Sequence, residues 1–192
     1  MSNYLEPVED GLPIRDFGPW VAEKLDYLKR YIGIFENSMH MKPWRERHYI
    51  DLFAGTGKCQ VAETRNVYLG SSLLALTTTH PFTHYYFVDK EPDNISVLRK
   101  RCDASLIASN VDCKTGDGNT IVKEIVEHIL DVDRKFINGT WSSLNLAFLD
   151  PDGLELRWET VAALAQPSKM DLIIHYSQMG IKRPHAGQLF II

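Results

Sequence analysis

Four acids recur where short apolar runs end. They are Asp51 within Tyr49-Ile50-Asp51-Leu52-Phe53, Asp89 closing His84-Tyr85-Tyr86-Phe87-Val88, Asp117 between Gly116 and Gly118, and Asp150 directly after Leu146-Ala147-Phe148-Leu149. A carboxylate offers two acceptor oxygens in a fork, so an acid at a strand tip can take both hydroxyls of a ribose. Asp89, with Lys90 beside it, is the candidate for that role. Gly55 and Gly57 follow the first run at a spacing that lets a ligand lie against bare backbone. Taken alone, the glycines fit an ordinary strand-ending turn, Asp117-Gly118 an Asp-Gly turn, and Asp150-Pro151-Asp152-Gly153 a turn of its own. Four acids in register at the ends of consecutive strands describe one crevice.

The elements that must position these groups alternate. Strands are expected at Tyr49–Phe53, His84–Asp89, Val111–Lys114, Leu146–Leu149 and Met170–Tyr176, each short, apolar and bounded by turn residues. Between them, Ile95, Leu98 and Cys102 mark one helix, Ile121 to Ile129 a strongly amphipathic one, and Trp158 to Ala165 a third that Pro167 ends. Before the first strand, Val21, Leu25, Leu28, Ile32 and Phe35 form one apolar helical stripe. Such alternation predicts an α/β fold, a mostly parallel sheet with helices on both faces, and ligands bind at the carboxyl ends of such strands. Ser71 or Ser72 is expected to cap the helix that begins near Gly70. Cys59 to Leu69 forms a flap or hairpin over the loop, and this insertion accounts for Asp89 standing farther from Gly57 than the roughly 20 positions of a plain unit. Residues 1–19 read as an arm, 20–182 as the domain and 183–192 as a short tail. Asp131 to Ser143 reads as a polar surface loop, and His175 as a hydrogen-bonded core histidine. Lys24, Lys29, Arg30 and the Lys42–His48 segment read as a solvated basic face, and Arg99, Lys100 and Arg101 as cations suited to a helix C-terminus.

Composition narrows the class. With 192 residues, 44% hydrophobic and 24% charged, the chain suits one globular domain. A net charge of -4 argues against gripping nucleic acid over the whole surface, while allowing a local basic patch. Cys59, Cys102 and Cys113 lack metal-ligand spacing and leave an odd thiol, which fits a reducing, cytoplasmic setting and no metal. The first residues lack the pattern of a signal peptide, and no stretch approaches a membrane span. A dinucleotide fingerprint would need a third glycine where Gln60 stands, which disfavours nicotinamide chemistry.

The Asp-x-Phe-x-Gly-x-Gly order from Asp51 to Gly57 resembles the first motif of S-adenosylmethionine-dependent methyltransferases of the Rossmann-like class. That resemblance implies a methionine end held at Asp51, Phe53, Gly55 and Gly57, a ribose at Asp89 and Lys90, and an adenine at Asp117 and Gly118. Asp150-Pro151 resembles the start of the signature that orients an acceptor amine beside the methyl group, and Asp150 also borders the cofactor. Asp152 and Gly153 depart from the rest of that signature. A narrower resemblance is to the three-Cys-motif partner proteins. It rests on the Lys-Leu-x-x-Leu-x-x-Tyr beginning at Lys24, on Tyr49 to Gly57, on Gly70-Ser71-Ser72-Leu73, on Leu149 to Gly153 and on Asp171-Leu172-Ile173-Ile174. Thr56, Ser72 and Asp152 stand where that family usually has proline, proline and an aromatic. The resemblance implies a methyltransferase-like fold, a three-cysteine partner protein, and either methyl transfer to a nucleic-acid base or partner protein, or partner docking without catalysis. After Ser177 the chain is too short for the last helix and strands of a seven-stranded sheet, so the end reads as truncated or naturally short.

Overall fold

The computed structural model describes residues 3–135, 142–151, 153, 155–167 and 169–175. Among the described residues five strands form one parallel sheet: β2 (Glu46–Asp51), β5 (His84–Asp89), β6 (Val111–Thr115), β7 (Ser143–Leu149) and β8 (Met170–Ile174), in the order β6-β5-β2-β7-β8. The remaining strands, β1 (Arg15–Phe17), β3 (Lys58–Val61) and β4 (Val67–Leu69), make a small second sheet in which β1 runs parallel to β3 and the hairpin β3–β4 is antiparallel.

Period-two alternation sends the side chains of the large sheet to two cores. Tyr49, Tyr85, Phe87, Leu146 and Phe148 pack with Leu28, Ile32 and Phe35 of helix α1 (Trp20–Met39), with α2 (Ser71–Leu76) and with α3 (Pro92–Cys102). Ile50, Tyr86, Val88, Ala147 and Leu149 pack instead against α4 (Gly118–Lys135) and α5 (Trp158–Leu164). Both faces are thereby covered, which is why the strands read as continuous apolar runs. All five apolar positions of the expected α1 stripe are buried.

Several local expectations change. Cys59 to Leu69 does form a hairpin, and the arm supplies its third strand, because the Arg15–Phe17 backbone satisfies the open edge of β3. The strand expected at Tyr49 begins at Glu46, so part of the basic segment lies in the sheet, where His48 is fully buried. Asp131 to Ser143 is not a loop throughout: α4 continues to Lys135 and β7 starts at Ser143. Gly70 occupies the N-cap of α2 without a side-chain bond, and the two serines turn inward, Ser71 Oγ to Asp51 Oδ2 at 2.5 Å and Ser72 Oγ to the Ala54 carbonyl at 3.3 Å. The expected tail, 183–192, lies outside the described residues. Among the described residues no helix is long and apolar enough to cross a membrane.

Candidate functional site

The strand order reverses between β2 and β7, and a cavity of about 730 Å³ opens above their carboxyl ends. This is where an open α/β sheet binds ligands, and the volume lies within the roughly 300–1,000 Å³ of small-molecule pockets. The glycine loop forms its floor. Gly55 (φ +59°) and Gly57 (φ +87°) take the left-handed conformation that other residues rarely adopt. A Cβ at Gly55 would meet nothing within 4 Å, so the backbone there is open to a ligand, whereas one at Gly57 would stand 2.7 Å from Leu98 Cδ1. The loop is held by Gly70 N–H donating to the Gly57 carbonyl at 2.7 Å, and by Arg101 Nη1 donating to the Thr56 carbonyl at 2.7 Å.

Asp89 lines the cavity at the end of β5. Its Oδ1 accepts from Glu91 N–H (2.9 Å) and Asn94 Nδ2 (3.0 Å), while Oδ2 accepts only from Gly55 N–H (2.9 Å) among the described residues. Three of the fork's roughly four acceptor positions are thus used in joining the loop to α3, and one remains on Oδ2. Lys90 borders the cavity and pairs with Glu155 at 3.0 Å. Asp117 caps α4: its Oδ1 accepts from the Asn119 backbone and side chain at 3.0 and 2.9 Å, with Arg157 3.9 Å from Oδ2. Burial is the largest single influence and pushes its carboxyl up, but the Asn119 bonds and Arg157 together outweigh it and hold the group below the usual range. The Asp-Gly turn and the cavity-lining acid are thus one structure. Gly118 is required by packing, since a Cβ would lie 2.7 Å from the Leu52 carbonyl oxygen.

Two expected residues sit differently. Asp51 is fully buried beneath the loop, not on the cavity wall, and bonds Ser71 and the Phe53 N–H (3.2 Å). Burial raises its carboxyl to about 7, the Ser71 and Phe53 bonds pull it down, and the charges of Asp150 and Asp89 add to the rise. Asp150 borders the cavity, but both its oxygens are engaged, Oδ2 by Lys24 Nζ and Oδ1 by His175 Nδ1 at 2.7 Å. Pro151 is buried beside an adjoining cleft of about 360 Å³ that also reaches Phe17 and His175. Phe53, by contrast, lines the cavity as expected.

The residues that complete the site carried little signal of their own. Lys24, on the helix face read as solvated, is only 11% exposed and points to Asp150, 126 positions away. Arg101, Lys58 and Asp10 form a cluster without solvent exposure in which Arg101 grips both Asp10 oxygens at 2.8 and 2.9 Å and Lys58 bonds Asp10 at 2.8 Å. Burial alone would raise the Asp10 carboxyl; hydrogen bonds from Arg101, then Lys58 and Leu12 N–H, hold it far below the usual range. The arm is thereby fastened outside the loop, and Arg15 and Phe17 become part of the cavity wall.

No family model matches the chain, and no curated protein matches it. Among solved structures, a Legionella pneumophila protein described under the family model DUF519 aligns with a TM-score of 0.51 at 13% identity, over 77% of this chain and 66% of its own. This chain thus spans about two thirds of that protein. A conserved hypothetical protein of Streptococcus pyogenes aligns over 74% of this chain and 73% of its own, at 15% identity and a TM-score of 0.42. The likeness to the Legionella protein is one of fold, a Rossmann-like, mostly parallel α/β sheet.

Proposed function

We propose that the chain binds S-adenosylmethionine in the cavity above β2 and β7 and transfers its methyl group to an acceptor placed near Asp150. The observation that supports this reading is that the glycine loop, Asp89, Asp117-Gly118 and Asp150 all border a single cavity at the point where the strand order reverses. The residues present fit such a cofactor. Open backbone at Gly55 suits its amino-acid end, the remaining acceptor position on Asp89 Oδ2 suits a ribose hydroxyl, and Asp117 Oδ2 suits an amino group of the base. When bound, the cofactor supplies an electrophilic methyl carbon. The chain's contribution is then to hold the acceptor in line and to exclude water, the part of catalysis that positioning supplies.

Calorimetric titration with S-adenosylmethionine and S-adenosylhomocysteine tests the reading. Micromolar binding that Asp89→Asn weakens by about 1–3 kcal/mol is expected. Absence of binding by a folded parent chain overturns it. A second reading, a module that docks a partner protein of the three-cysteine kind without catalysis, draws on the outer face of α1, where Tyr27 and Ile34 are 63% and 69% exposed. It is the reading left standing if neither nucleoside binds.

A further inference from the structure

Asp150 is already committed to two partners, since Lys24 holds one of its oxygens and His175 Nδ1 the other at 2.7 Å. A carboxylate in this position keeps the imidazole proton on Nδ1 and leaves Nε2 as the ring's proton acceptor. His175 follows the last residue of β8, is a third exposed, and stands where two open spaces meet. One is the cleft beside Phe17 and Pro151. The other is a groove of about 730 Å³ between α1 and β8, walled by Trp20, Tyr27, Leu28, Tyr31 and Leu172. Lys24 borders both of these spaces and the cofactor cavity as well.

Two features select a ligand class. The aromatic and aliphatic walls suit a flat apolar ring, which stacks on or meets the edges of other rings. At the polar end, Nε2 accepts a proton, and Lys24 uses one of its three N–H donors on Asp150 and has others for a ligand oxygen. A protonated amine at this end would meet the Lys24 ammonium, while the nearest carboxylate, Asp150, already serves Lys24 and His175.

We infer that this junction binds a hydroxyl group carried on an aromatic ring, the phenol class, with His175 Nε2 taking the hydroxyl proton and Lys24 donating to the oxygen. The inference rests on the methyl-transfer reading for its role and names the acceptor class of that site. His175 becomes the base and Asp150 a positioning residue. As the O–H bond breaks, its proton joins Nε2 and its electron pair stays on oxygen. In methyl transfer that oxygen pair forms the new carbon–oxygen bond, while the pair of the broken carbon–sulfur bond remains on sulfur as a neutral thioether. The charged and titratable groups around His175 are Asp150 from the end of β7, Lys24 and Glu23 from α1, Tyr27 and Tyr31 on the same helix, and Arg15 and Asp16 from β1 across the cleft. Tyr31 donates to Asp171 Oδ2 at 2.8 Å, and burial, then this bond, raises its hydroxyl to about 12, which keeps it out of the exchange.

The test uses the full chain with 4-nitrophenol, whose visible band reports its ionisation, and with 4-nitroanisole, which has no proton to give. At mildly acid pH, 4-nitrophenol is expected to bind about tenfold more tightly than 4-nitroanisole, the factor of one good hydrogen bond, and to gain phenolate absorbance on binding. His175→Gln, which keeps a polar side chain of similar reach, should retain binding and lose the phenolate band; His175→Ala should lose the preference as well. Equal binding of the two probes, no binding of either, or a band unchanged in folded His175→Gln overturns the inference. Calorimetry with S-adenosylhomocysteine on the same proteins separates the two readings. Nucleoside binding without the phenol preference leaves the methyl-transfer reading and removes this one. The phenol preference and its loss in His175→Ala, without nucleoside binding, supports this groove and removes the cofactor.

Discussion

Ser71 Oγ donates to Asp51 Oδ2 at 2.5 Å, tying the first turn of α2 to the last residue of β2 beneath the glycine loop. The hydroxyl is one of two bonds that oppose the burial of this carboxyl, whose folded-state value is raised to about 7. Between the ordinary carboxyl range and about 7, the folded chain keeps a proton on Asp51 that the unfolded chain has released. Stability therefore falls as pH rises through that window, and the full cost is present above it. Asp51→Asn removes the titration and is expected to stabilise the protein by about 3–4 kcal/mol at pH 8 relative to its effect at pH 4. Urea unfolding at the two pH values checks this, and a pH-independent effect would refute it. Ser71→Ala, which deletes a bond to the ionised form, should move the window upward.

Asp10→Asn leaves Lys58 and Arg101 in a site without solvent exposure and without their shared anion. Breaking a buried ion pair from one side costs about 3–5 kcal/mol. Thermal unfolding should register a loss of that size, together with faster amide exchange at Thr56 and Gly57 as the loop loses its outer support. In the parent, the same depressed carboxyl contributes stability that is present above the ordinary aspartate range and is lost only as pH falls far below it.

The two loop glycines should respond differently. Gly55→Ala imposes a left-handed conformation on alanine but adds no contact, a cost of about 1–2 kcal/mol. Its methyl group faces the cavity and should weaken S-adenosylhomocysteine binding by about tenfold. Gly57→Ala adds a collision with Leu98 to the same conformational cost, about 2–5 kcal/mol in all. Denaturant titration of the pair, with calorimetry on the first, distinguishes a glycine needed for ligand approach from one needed for packing.

How far these features could be read in advance depends on the range of the interactions involved. The strands, the α1 stripe and the hairpin depend on neighbours a few positions apart, and apolar periodicity records those. Asp89, Asp117 and Asp150 stand at the cavity because each lies at or within two residues of a strand's carboxyl end. Lys24 and Arg101 look like other surface cations in their helices, because what buries them is an acid 126 or 91 positions distant. Asp51 matched the motif, yet its strand phase points it beneath the loop, beside Tyr49 on the α1 side of the sheet. Ser71 and Ser72 had the right type for a cap, but Asp51 and the Ala54 carbonyl compete for them.

The arm's attachment also orders events during synthesis. Asp10 leaves the ribosome 91 residues ahead of Arg101, an interval of roughly 5–20 s at ordinary translation speeds. Until α3 emerges, the Asp10 carboxylate has Lys58 and the Leu12 N–H but lacks both Arg101 bonds, and Thr56 lacks the donor that fixes its carbonyl. A nascent chain paused short of Arg101 thus has its arm held only by Lys58 and the β1–β3 pairing, and the glycine loop gains its last outer support when the end of α3 returns to meet the arm.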